Sequence, residues 1–423
     1  MKILISGLVA LGALLALPGR TAESVEAVPA TGIDLREALL RAANRNPDLA
    51  SFAFALRAQD ARIELAAQRP ALQAGVELED FAGNGAARGV SGSDLTLTLS
   101  SVIELGGQRD RRIDVARRER EGLEIARQSA QLDVLAEVAR RFIHVAAGQQ
   151  QLELAGTAVQ LAQDTVNEVQ RRVRAARSPE VELARARIAL SRARVEQEHA
   201  EHELLSARRR LAAMWGGREP DFGEVDGDLF RLPQIADFDA LARRLAGSPD
   251  FLAFASETRQ REAEVQLALA RARTSLSWSV GVRRLGREHD FGLVAGVSVP
   301  LFAGQRAQPQ IDAARAGRAE VETRAEAARV RAEATLYGLV QELRHAITEA
   351  RLLRDEVMPQ MQAALAATEY AWQRGRYSYL EWTDAQRERL DVQRALIETA
   401  ANAQIFQVEI ERLTRSAVSG EMP

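Results

Sequence analysis

The sequence predicts a mixed α and β fold with an internal duplication, in which long coiled-coil helices are combined with two β-hairpins. Two pairs of short stretches alternate apolar and polar residues, which is the period of half-exposed strands. A long helical pattern rich in alanine, arginine and glutamate follows each pair. The motif Gly-Gln-Arg stands at both transitions, at residues 107–109 and 304–306. Its recurrence indicates that one half of the chain repeats the other.

Composition excludes several classes of protein. At 423 residues, with 46% hydrophobic and 27% charged residues, the chain is neither disordered nor a bundle of membrane-spanning helices. A net charge of -3 gives no basic field, so we expect no nucleic-acid partner. The chain has no cysteine, which excludes disulfides, thiolate metal sites, cysteine nucleophiles and a lipid tether through cysteine.

Residues 1–22 predict a secretory signal peptide. Lys2 supplies a positive start, residues 3–17 are largely apolar, and Pro18-Gly19 ends the segment before small residues. The apolar core is too short for a comfortable membrane-spanning helix. We therefore expect an exported protein, with a polar linker at residues 23–32.

The first structural repeat is predicted at residues 33–216 and begins with helices. Apolar residues recur at helical spacings up to Arg69, with a corner at Asn46-Pro47-Asp48. A β-hairpin follows, whose two strands are joined by a glycine-rich loop at residues 83–92. The apolar residues of these strands alternate with polar or small ones, namely Ala74, Val76, Leu78, Leu95, Leu97 and Leu99 with Gly75, Glu77, Glu79, Thr96, Thr98 and Ser100.

A long helix is predicted from near Arg109 to Ala176, and it would reach on the order of 100 Å. A helix of that length needs neighbouring helices along its sides. Ser178 and Pro179 are predicted as the cap and first-turn residues of a return helix that runs from Val181 to Trp215. The two helices form a helical hairpin.

The same order of elements is then predicted again. After a linker at residues 217–234, a second structural repeat is predicted at 235–415, followed by a tail at 416–423. Ser248-Pro249-Asp250 matches the corner Asn46-Pro47-Asp48 of the first repeat.

The second repeat also contains a strand pair and two helical arms. Its apolar strand residues include Trp278 and Leu293. A long helix is predicted from about Ala307, with breaks at Pro359 and near Gly375, and a return helix from about Leu380 to Arg415.

Four alternating strands in an exported chain must cover both their apolar faces and their edges. A sheet in a bilayer must close, because open edges leave backbone groups without hydrogen bonds. Membrane barrels begin at about eight strands, so these four would share a barrel with other subunits. The lipid-facing residues would include Leu95, Leu97, Leu99, Trp278 and Leu293, and the lumen-facing residues Thr96, Thr98, Ser100, Ser277 and Ser279. The alternative is two soluble hairpins packed on helices.

Several segments together resemble one known family, the TolC family of outer-membrane efflux ducts of Gram-negative bacteria. The resemblance is most specific at the two strand-to-helix transitions, at residues 358–360 with Trp372–Gly375, and at the tip segment 375–387. Residues 76–81 and 103–107 are similar to the heavy-metal subgroup, the outer component of cobalt-zinc-cadmium and cobalt-nickel efflux systems.

The resemblance implies a homotrimer in which each subunit adds four transmembrane β-strands to one twelve-stranded barrel. The long helices would form a coiled-coil tunnel in the periplasm, and the barrel would contact outer-membrane lipid. Two further partners are implied: a periplasmic adaptor, or membrane fusion protein, and an inner-membrane transporter of the resistance-nodulation-division class. No cofactor is implied.

The resemblance also assigns sites. Glu381 and Asp384 would form carboxylate rings at the periplasmic gate and attract cations, although an ordinary solvated helix face is the alternative. Trp372 and Trp382 depart from the family, which commonly has a tyrosine and a small aliphatic residue there. The helical tips would dock the adaptor through Ser178, Pro179, Val181, Gly375, Tyr377, Ser378 and Leu380.

The strand-to-helix switches would be the points where each subunit leaves the membrane and enters the periplasm. Glycine permits the turn there, and glutamine and arginine suit a polar interface. The residues concerned are Gly107, Gln108, Arg109, Pro300, Gly304, Gln305 and Arg306.

We therefore expect an outer-membrane channel subunit of a tripartite efflux system that passively conducts divalent heavy-metal cations. The alternatives are a drug or small-molecule duct of the same family, and a periplasmic coiled-coil adaptor or structural protein. No catalytic motif is found, so we expect no enzyme. His199 and His202, at a spacing of three on the return helix, are the candidate metal ligands, although such clusters are commonly just solvated.

Overall fold

The fold is described from a computed structural model that covers residues 32–85, 88–90, 92–286 and 290–415. The predicted signal peptide, the C-terminal tail and nearly all of the N-terminal linker lie outside these ranges, as do parts of the loops that connect the strands.

Most of the described chain is helical, and the order of the main elements is the same in both halves. The first half contains β1 (Ile33–Asp34), α1 (Leu35–Arg45), α2 (Pro47–Ala66), β2 (Gln73–Glu79), β3 (Asp94–Ile103), α3 (Gln108–Arg174) and α4 (Glu180–Ala212). The second contains β4 (Val225–Asp226), α5 (Phe238–Leu245), α6 (Pro249–Arg271), β5 (Leu276–Arg284), β6 (Phe291–Ser298), α7 (Ala303–Leu352), α8 (Met358–Gln373) and α9 (Tyr379–Thr414).

The corner between α1 and α2 forms where the sequence predicts it. The Asn46 side-chain oxygen accepts hydrogen bonds from the N–H groups of Asp48 and Leu49, at 3.0 and 3.1 Å. Its amide nitrogen donates to the Met214 carbonyl at 2.9 Å. Pro47 occupies the first position of α2, where its missing N–H costs nothing.

Both predicted hairpins are present, and they join into one antiparallel sheet in the order β2, β3, β5, β6. Thr98 lies opposite Gly281 in the central pair, and a Cβ on that glycine would come within 2.4 Å of the Leu97 carbonyl oxygen. Among the described strands, β2 and β6 each have a neighbour on one side only. The sheet therefore has two open edges.

The register gives the sheet one apolar and one polar face. Leu97 lies opposite Val76 and Val282, and Leu293 lies opposite Val282, so these side chains share a face. This face is uncovered, with 90% of Leu293 and 72% of Val76 exposed. The other face carries Thr96, Thr98, Ser100, Ser277 and Ser279, and the predicted division of side chains is confirmed.

The two strand-to-helix switches differ in detail. Gly107 precedes α3 in the left-handed region, with φ of 72°, as expected for glycine. In the second switch Phe302 takes this conformation, with φ of 60°, and Gly304 lies inside the first turn of α7. The prediction that Gly304 makes the turn is wrong, because α7 begins at Ala303 rather than near Ala307. Phe302 instead adopts the left-handed conformation, which is sterically unfavourable for a residue with a Cβ.

The predicted break at Pro359 is also different in the structure. A π-helical segment, Leu353–Val357, separates α7 from α8, and Pro359 lies in the first turn of α8. The backbone stays helical across the π-helical segment, and Pro359 follows it directly; prolines and π-bulges distort a helix without necessarily ending it. Pro309 lies inside α7 and also fails to end it. The matching helix of the first half, α3, runs without interruption for 67 residues.

The segment predicted as a linker at 217–234 is packed into the core. Val225 pairs with Ile33 in a short parallel strand pair, β1 with β4. The Val225 N–H donates to the side-chain oxygen of Gln149 on α3 at 2.8 Å. Phe222 and Leu229 are buried. Through Val225, this segment therefore contacts both β1, at the start of the first half, and α3.

In the described ranges, four apolar clusters hold the helices together, and polar contacts also cross between helices. Arg412 of α9 is 12% exposed and donates hydrogen bonds to Asp250 of α6 at 2.9 Å and to Ser129 of α3 at 3.3 Å. It also pairs with Asp133 of α3. The Ser129 hydroxyl donates to Asp250 at 2.6 Å. Arg412 thereby joins three helices.

Within the described ranges, none of the helices is both long and apolar enough for a membrane span.

Candidate functional site

The turn between α8 and α9, the second tip, is closed by backbone hydrogen bonds. Gly375 has φ of 72°, and its N–H donates to the Trp372 carbonyl at 2.9 Å. The Arg376 N–H donates to the Ala371 carbonyl at 2.9 Å. This pair of bonds is the Schellman arrangement, which ends a helix at a left-handed residue.

The two predicted gate carboxylates both have partners within the first turns of α9. Glu381 accepts hydrogen bonds from the N–H and the hydroxyl of Ser378, at 2.6 and 2.9 Å, and the Glu381 N–H donates to the Ser378 hydroxyl oxygen at 3.3 Å. The backbone hydrogen bond from Ser378, and then the side-chain one, lower the pKa of Glu381. Asp384 pairs with Arg387 at 3.1 Å. Glu381 therefore also serves as part of a capping box.

We expect Ser378→Ala to fray the first turn of α9, because the helix loses its cap. A lost serine cap costs on the order of 1 kcal/mol. Hydrogen exchange at the amides of residues 379–382 would measure the loss. Ser178→Ala at the first tip is the control, since Ser178 caps no helix in the structure; equal exchange in both variants would contradict the role of Ser378.

The same cap predicts a pH effect. The folded pKa of Glu381 is lowered, so its stabilising contribution is present above the ordinary glutamate pKa of about 4.3 and is lost as the pH falls through the folded pKa.

Behind the second tip lies a stacked pair of tryptophans that sequence reasoning noted only as departures from the family pattern. The rings of Trp372 and Trp382 are 4.0 Å apart between centroids and 14° from parallel. Tyr379 meets Trp382 edge-on, with centroids 6.5 Å apart. All three are buried, together with Val169 and Leu190 of the first half.

This aromatic cluster is fastened to α3 by Arg172. Its guanidinium carbon lies 4.3 Å from the Trp372 ring centroid, and its Nη1 donates to the Trp372 carbonyl at 3.2 Å. Burial, and then the charge of Glu182 on α4, raise the pKa of Tyr379. The second tip thus rests on the first helical hairpin. The role of Arg172 carries no signal in the sequence, because its partners lie far along the chain.

The first tip has the same backbone arrangement. Ala176 is left-handed, with φ of 54°, and its N–H donates to the Val173 carbonyl at 3.0 Å; the Arg177 N–H donates to the Arg172 carbonyl at 2.8 Å. Pro179 is the N-cap residue of α4, which begins at Glu180. The prediction of Ser178 as cap is wrong by one residue, because Pro179 itself has an extended backbone, with φ of -76° and ψ of 151°, and precedes the helix instead of opening it.

The predicted docking residues include matching exposed side chains at the two tips. Val181 and Leu380 each lie five positions after the left-handed residue of their tip, and they are 55% and 50% exposed. Tyr377 is 48% exposed. Two aliphatic side chains and one aromatic ring are therefore presented to solvent at one end of the helices.

The histidines of α4 do not form a metal centre. The His199 Nε2 lies 3.4 Å from Glu203, and both side chains are largely exposed. No group of three or more potential ligands, including His202, comes together in the part of the chain that the structure describes. Residues three apart on a helix supply two ligands on one face, and a third ligand is not within reach.

The polar face of the sheet carries a charged network that was not predicted. The Arg283 Nε donates to the Thr96 hydroxyl at 2.9 Å, and its Nη2 donates to Glu79 at 2.5 Å. These bonds join β2, β3 and β5 across one face.

At the switches, Gln108 and Arg109 contact neighbouring segments. The Gln108 side chain donates to the Arg273 carbonyl at 3.4 Å, and the Arg109 Nε donates to the Ala67 carbonyl. Pro300, Gln305 and Arg306 are exposed.

The sequence and the fold are both similar to known efflux proteins. Residues 38–217 match the family described as Outer membrane efflux protein. The cobalt-zinc-cadmium resistance protein CzcC of Cupriavidus metallidurans is 30% identical over 294 residues, which are 69% of this chain and 70% of that protein. The nickel-cobalt-cadmium resistance protein NccC of Alcaligenes xylosoxydans xylosoxydans is 25% identical over 63% of this chain, and the match spans 60% of that protein.

A solved structure shares the fold. The crystal structure of CusC superposes with a TM-score of 0.73 and 16% identity, covering 94% of this chain and 99% of that chain. This family consists of efflux channels and is not a family of enzymes. Because the chain belongs to it, the alternative interpretation as a periplasmic adaptor is excluded. The chain belongs to the outer membrane efflux protein family, as a TolC-like protein of the outer membrane whose helical part lies in the periplasm.

Proposed function

We propose that three copies of this chain form one conduit that passes divalent heavy-metal cations out of the cell, as the outer component of a tripartite system. The observation that carries this proposal is the sheet, which has an exposed apolar face, a polar face and two open edges. In a bilayer such edges must be paired.

Closure by three subunits accounts for the edges. Four strands are too few for a membrane barrel, and three chains would supply twelve strands. The apolar face, with Val76, Leu97 and Leu293, would then meet lipid, and the face with Thr98 and Ser279 would line a wet lumen. The repeated order of elements supports an internal duplication, with repeats at 33–216 and 235–415.

Gel migration of an outer-membrane fraction tests this assembly. We expect an unheated sample to migrate as a trimer and a heated sample as a monomer. A chain that remains monomeric and does not change its migration on heating would contradict the shared barrel.

The proposed cargo rests on the relatives. CzcC, 30% identical, is named for resistance to cobalt, zinc and cadmium. Deleting the gene should lower tolerance to these ions and leave tolerance to organic drugs unchanged. The reverse result would favour the second candidate, a drug or small-molecule duct.

His199→Ala with His202→Ala should restore tolerance as fully as the wild type, since a conduit must release its cargo.

The remaining partners would be a periplasmic adaptor and a resistance-nodulation-division transporter. We propose that the adaptor docks on the two tips, with Val181 and Leu380 as the aliphatic contacts. Val181→Asp with Leu380→Asp should abolish cross-linking to the adaptor, whereas Ile188→Asp, two turns along α4, should not.

We also propose that Glu381 and Asp384 attract cations at the entrance. Glu381→Gln with Asp384→Asn should lower the cation preference in planar-bilayer recordings, because it removes two charges per subunit. Glutamine still accepts the capping hydrogen bond, so the helix start is retained. Asp391→Asn is a control for the Asp384 part of this change, since Asp391 pairs with Arg394 at 3.0 Å in the same spacing. Equal selectivity in all forms would rule out the gate role.

A further inference from the structure

One end of the sheet, where the strands meet the long helices, carries exposed apolar side chains. Leu72 precedes β2, Leu105 follows β3, and Leu301 and Phe302 follow β6; their exposed fractions are 64%, 47%, 72% and 72%. The register places these three strand ends together, since Gln73 lies opposite Ser100, Ile103 opposite Leu276, and Ser277 opposite Ser298. Large apolar side chains grouped in this way indicate an interaction surface.

Exposed arginines lie in the segments that flank β2, β3, β5 and β6 at this same end of the sheet. They are Arg69, Arg109, Arg111, Arg271, Arg273 and Arg306. Close contacts join the segments before β2, after β3 and before β5. Arg109 donates a hydrogen bond to the carbonyl of Ala67, and Gln108 donates one to the carbonyl of Arg273. A Cβ at Gly106 would come within 2.4 Å of the Arg273 side chain. Of the nearby carboxylates, Glu104 is already paired with Arg112, and Asp110 is exposed between Arg109 and Arg111. We call this set of six arginines the arginine collar.

The other end of the sheet has the opposite balance. Glu77, Glu79, Asp80, Asp94 and Asp290 lie in or beside its strand ends. Of the two arginines on β5 there, Arg283 is bound to Glu79. Among these residues, carboxylates are therefore in excess at the end of the sheet away from the helices, and arginines are in excess at the end beside them.

We propose that the arginine collar binds the phosphate groups of anionic phospholipids in the periplasmic leaflet, with phosphatidylglycerol as the ligand. The proposal rests on the proposed placement of the sheet in the outer membrane. Guanidinium groups bind phosphate oxygens in a bidentate manner, which suits them to this task. Leu72, Leu105, Leu301 and Phe302 lie beside them and would contact the acyl chains. Amphipathic surfaces bind membranes by this combination of apolar insertion and attraction to anionic lipid.

Phe302 fits this role. It adopts a left-handed conformation that glycine would adopt without cost, and its side chain is 72% exposed. Nothing within the described residues covers that ring, whereas an acyl chain beside Arg306 would. The strained backbone would then be compensated by contact with lipid.

Lipid titration of the purified trimer tests the proposal. Native mass spectrometry would count bound phosphatidylglycerol or phosphatidylcholine with identical acyl chains. We expect phosphatidylglycerol to bind the wild type more tightly. Arg69→Gln, Arg111→Gln and Arg306→Gln together should weaken it at least tenfold, since each basic residue near an anionic surface contributes about fivefold. Binding of phosphatidylcholine should not change.

The control removes as many charges from exposed helix positions outside the collar, with Arg187→Gln, Arg192→Gln and Arg331→Gln, and should retain the preference. Equal binding of both lipids to the wild type would overturn the proposal, as would an unchanged preference in the collar variant or an equal loss in the control. The comparison of the two lipids on the wild type tests the proposal even if the collar variant does not fold. Heat-modifiable migration and conductance of the same wild-type sample report the proposed function separately, so a conducting trimer without lipid preference contradicts only the collar.

Discussion

Replacing Trp382 with alanine is expected to release the second tip from the first helical hairpin and to raise the single-channel conductance. Trp382 is 5% exposed and stacks on Trp372 at 4.0 Å, and Arg172 of α3 contacts the other member of the stack. Truncating a buried tryptophan to alanine typically costs about 3–5 kcal/mol. Few other buried side chains hold α8, chiefly Leu365 and Trp372, so the loss should be felt locally.

Two controls separate the stack from general damage. The Trp382 Nε1 is buried and meets no acceptor among the described residues. Trp382→Phe therefore loses no hydrogen bond and should retain wild-type conductance. Tyr377→Ala lies at the same tip on a half-exposed side chain and should also have little effect. If the Trp382→Ala variant conducts like the wild type, the stack does not restrain the second tip.

The second large effect is expected at Arg412. Arg412→Ala would leave Asp133 and Asp250 without their common partner on α9. Breaking a buried pair costs about 3–5 kcal/mol, but these carboxylates are 61% and 38% exposed, so we expect about 2 kcal/mol after solvent screening. Thermal unfolding of the protein in detergent should show a lower midpoint. Arg394→Ala, which removes an exposed pair on the same helix, should shift the midpoint far less.

The Arg412 cluster also predicts a pH dependence. Burial raises the pKa of Asp250, but hydrogen bonds from Arg412 and Ser129 outweigh it and hold the pKa below the ordinary aspartate value. The stabilisation is therefore complete above the ordinary pKa of about 3.9 and is lost as the pH falls through the lowered folded value. Arg412→Ala should weaken this acid dependence. An identical acid dependence in the variant and the wild type would contradict the coupling.

The strands and long helices could be predicted because each follows from a local period. Alternation placed Leu97 and Thr98 on opposite faces, and the register agrees. The β1 and β4 pair could not be predicted, since two residues carry no period and Ile33 meets Val225 from far along the chain. Prolines were weaker guides. Both Pro359 and Pro309 lie in helical backbone, Pro359 directly after the π-helical segment and Pro309 in the second turn of α7.

The candidate site was predicted only in outline. The family resemblance assigned Ser378 to the docking tip and Glu381 and Asp384 to the gate. The capping box that joins Ser378 and Glu381 was not predicted, although the two residues are close in sequence. The aromatic stack and Arg172 depend on packing between helices that are distant in sequence, and single residues do not reveal such contacts. The turn at Phe302 was missed because a left-handed phenylalanine is uncommon and Gly304 stood two residues away.

The π-helical segment at Leu353–Val357 determines how the side chains of α8 are oriented around the helix axis. Adding or removing one residue in a helix turns all later side chains by about 100° around the axis. Trp372 lies against Trp382 in the rotation that this wide turn gives α8, so the stack at the second tip is aligned from about four helical turns away. Deleting one residue from the π-helical segment would turn Trp372 away from Trp382 without changing any residue of the second tip.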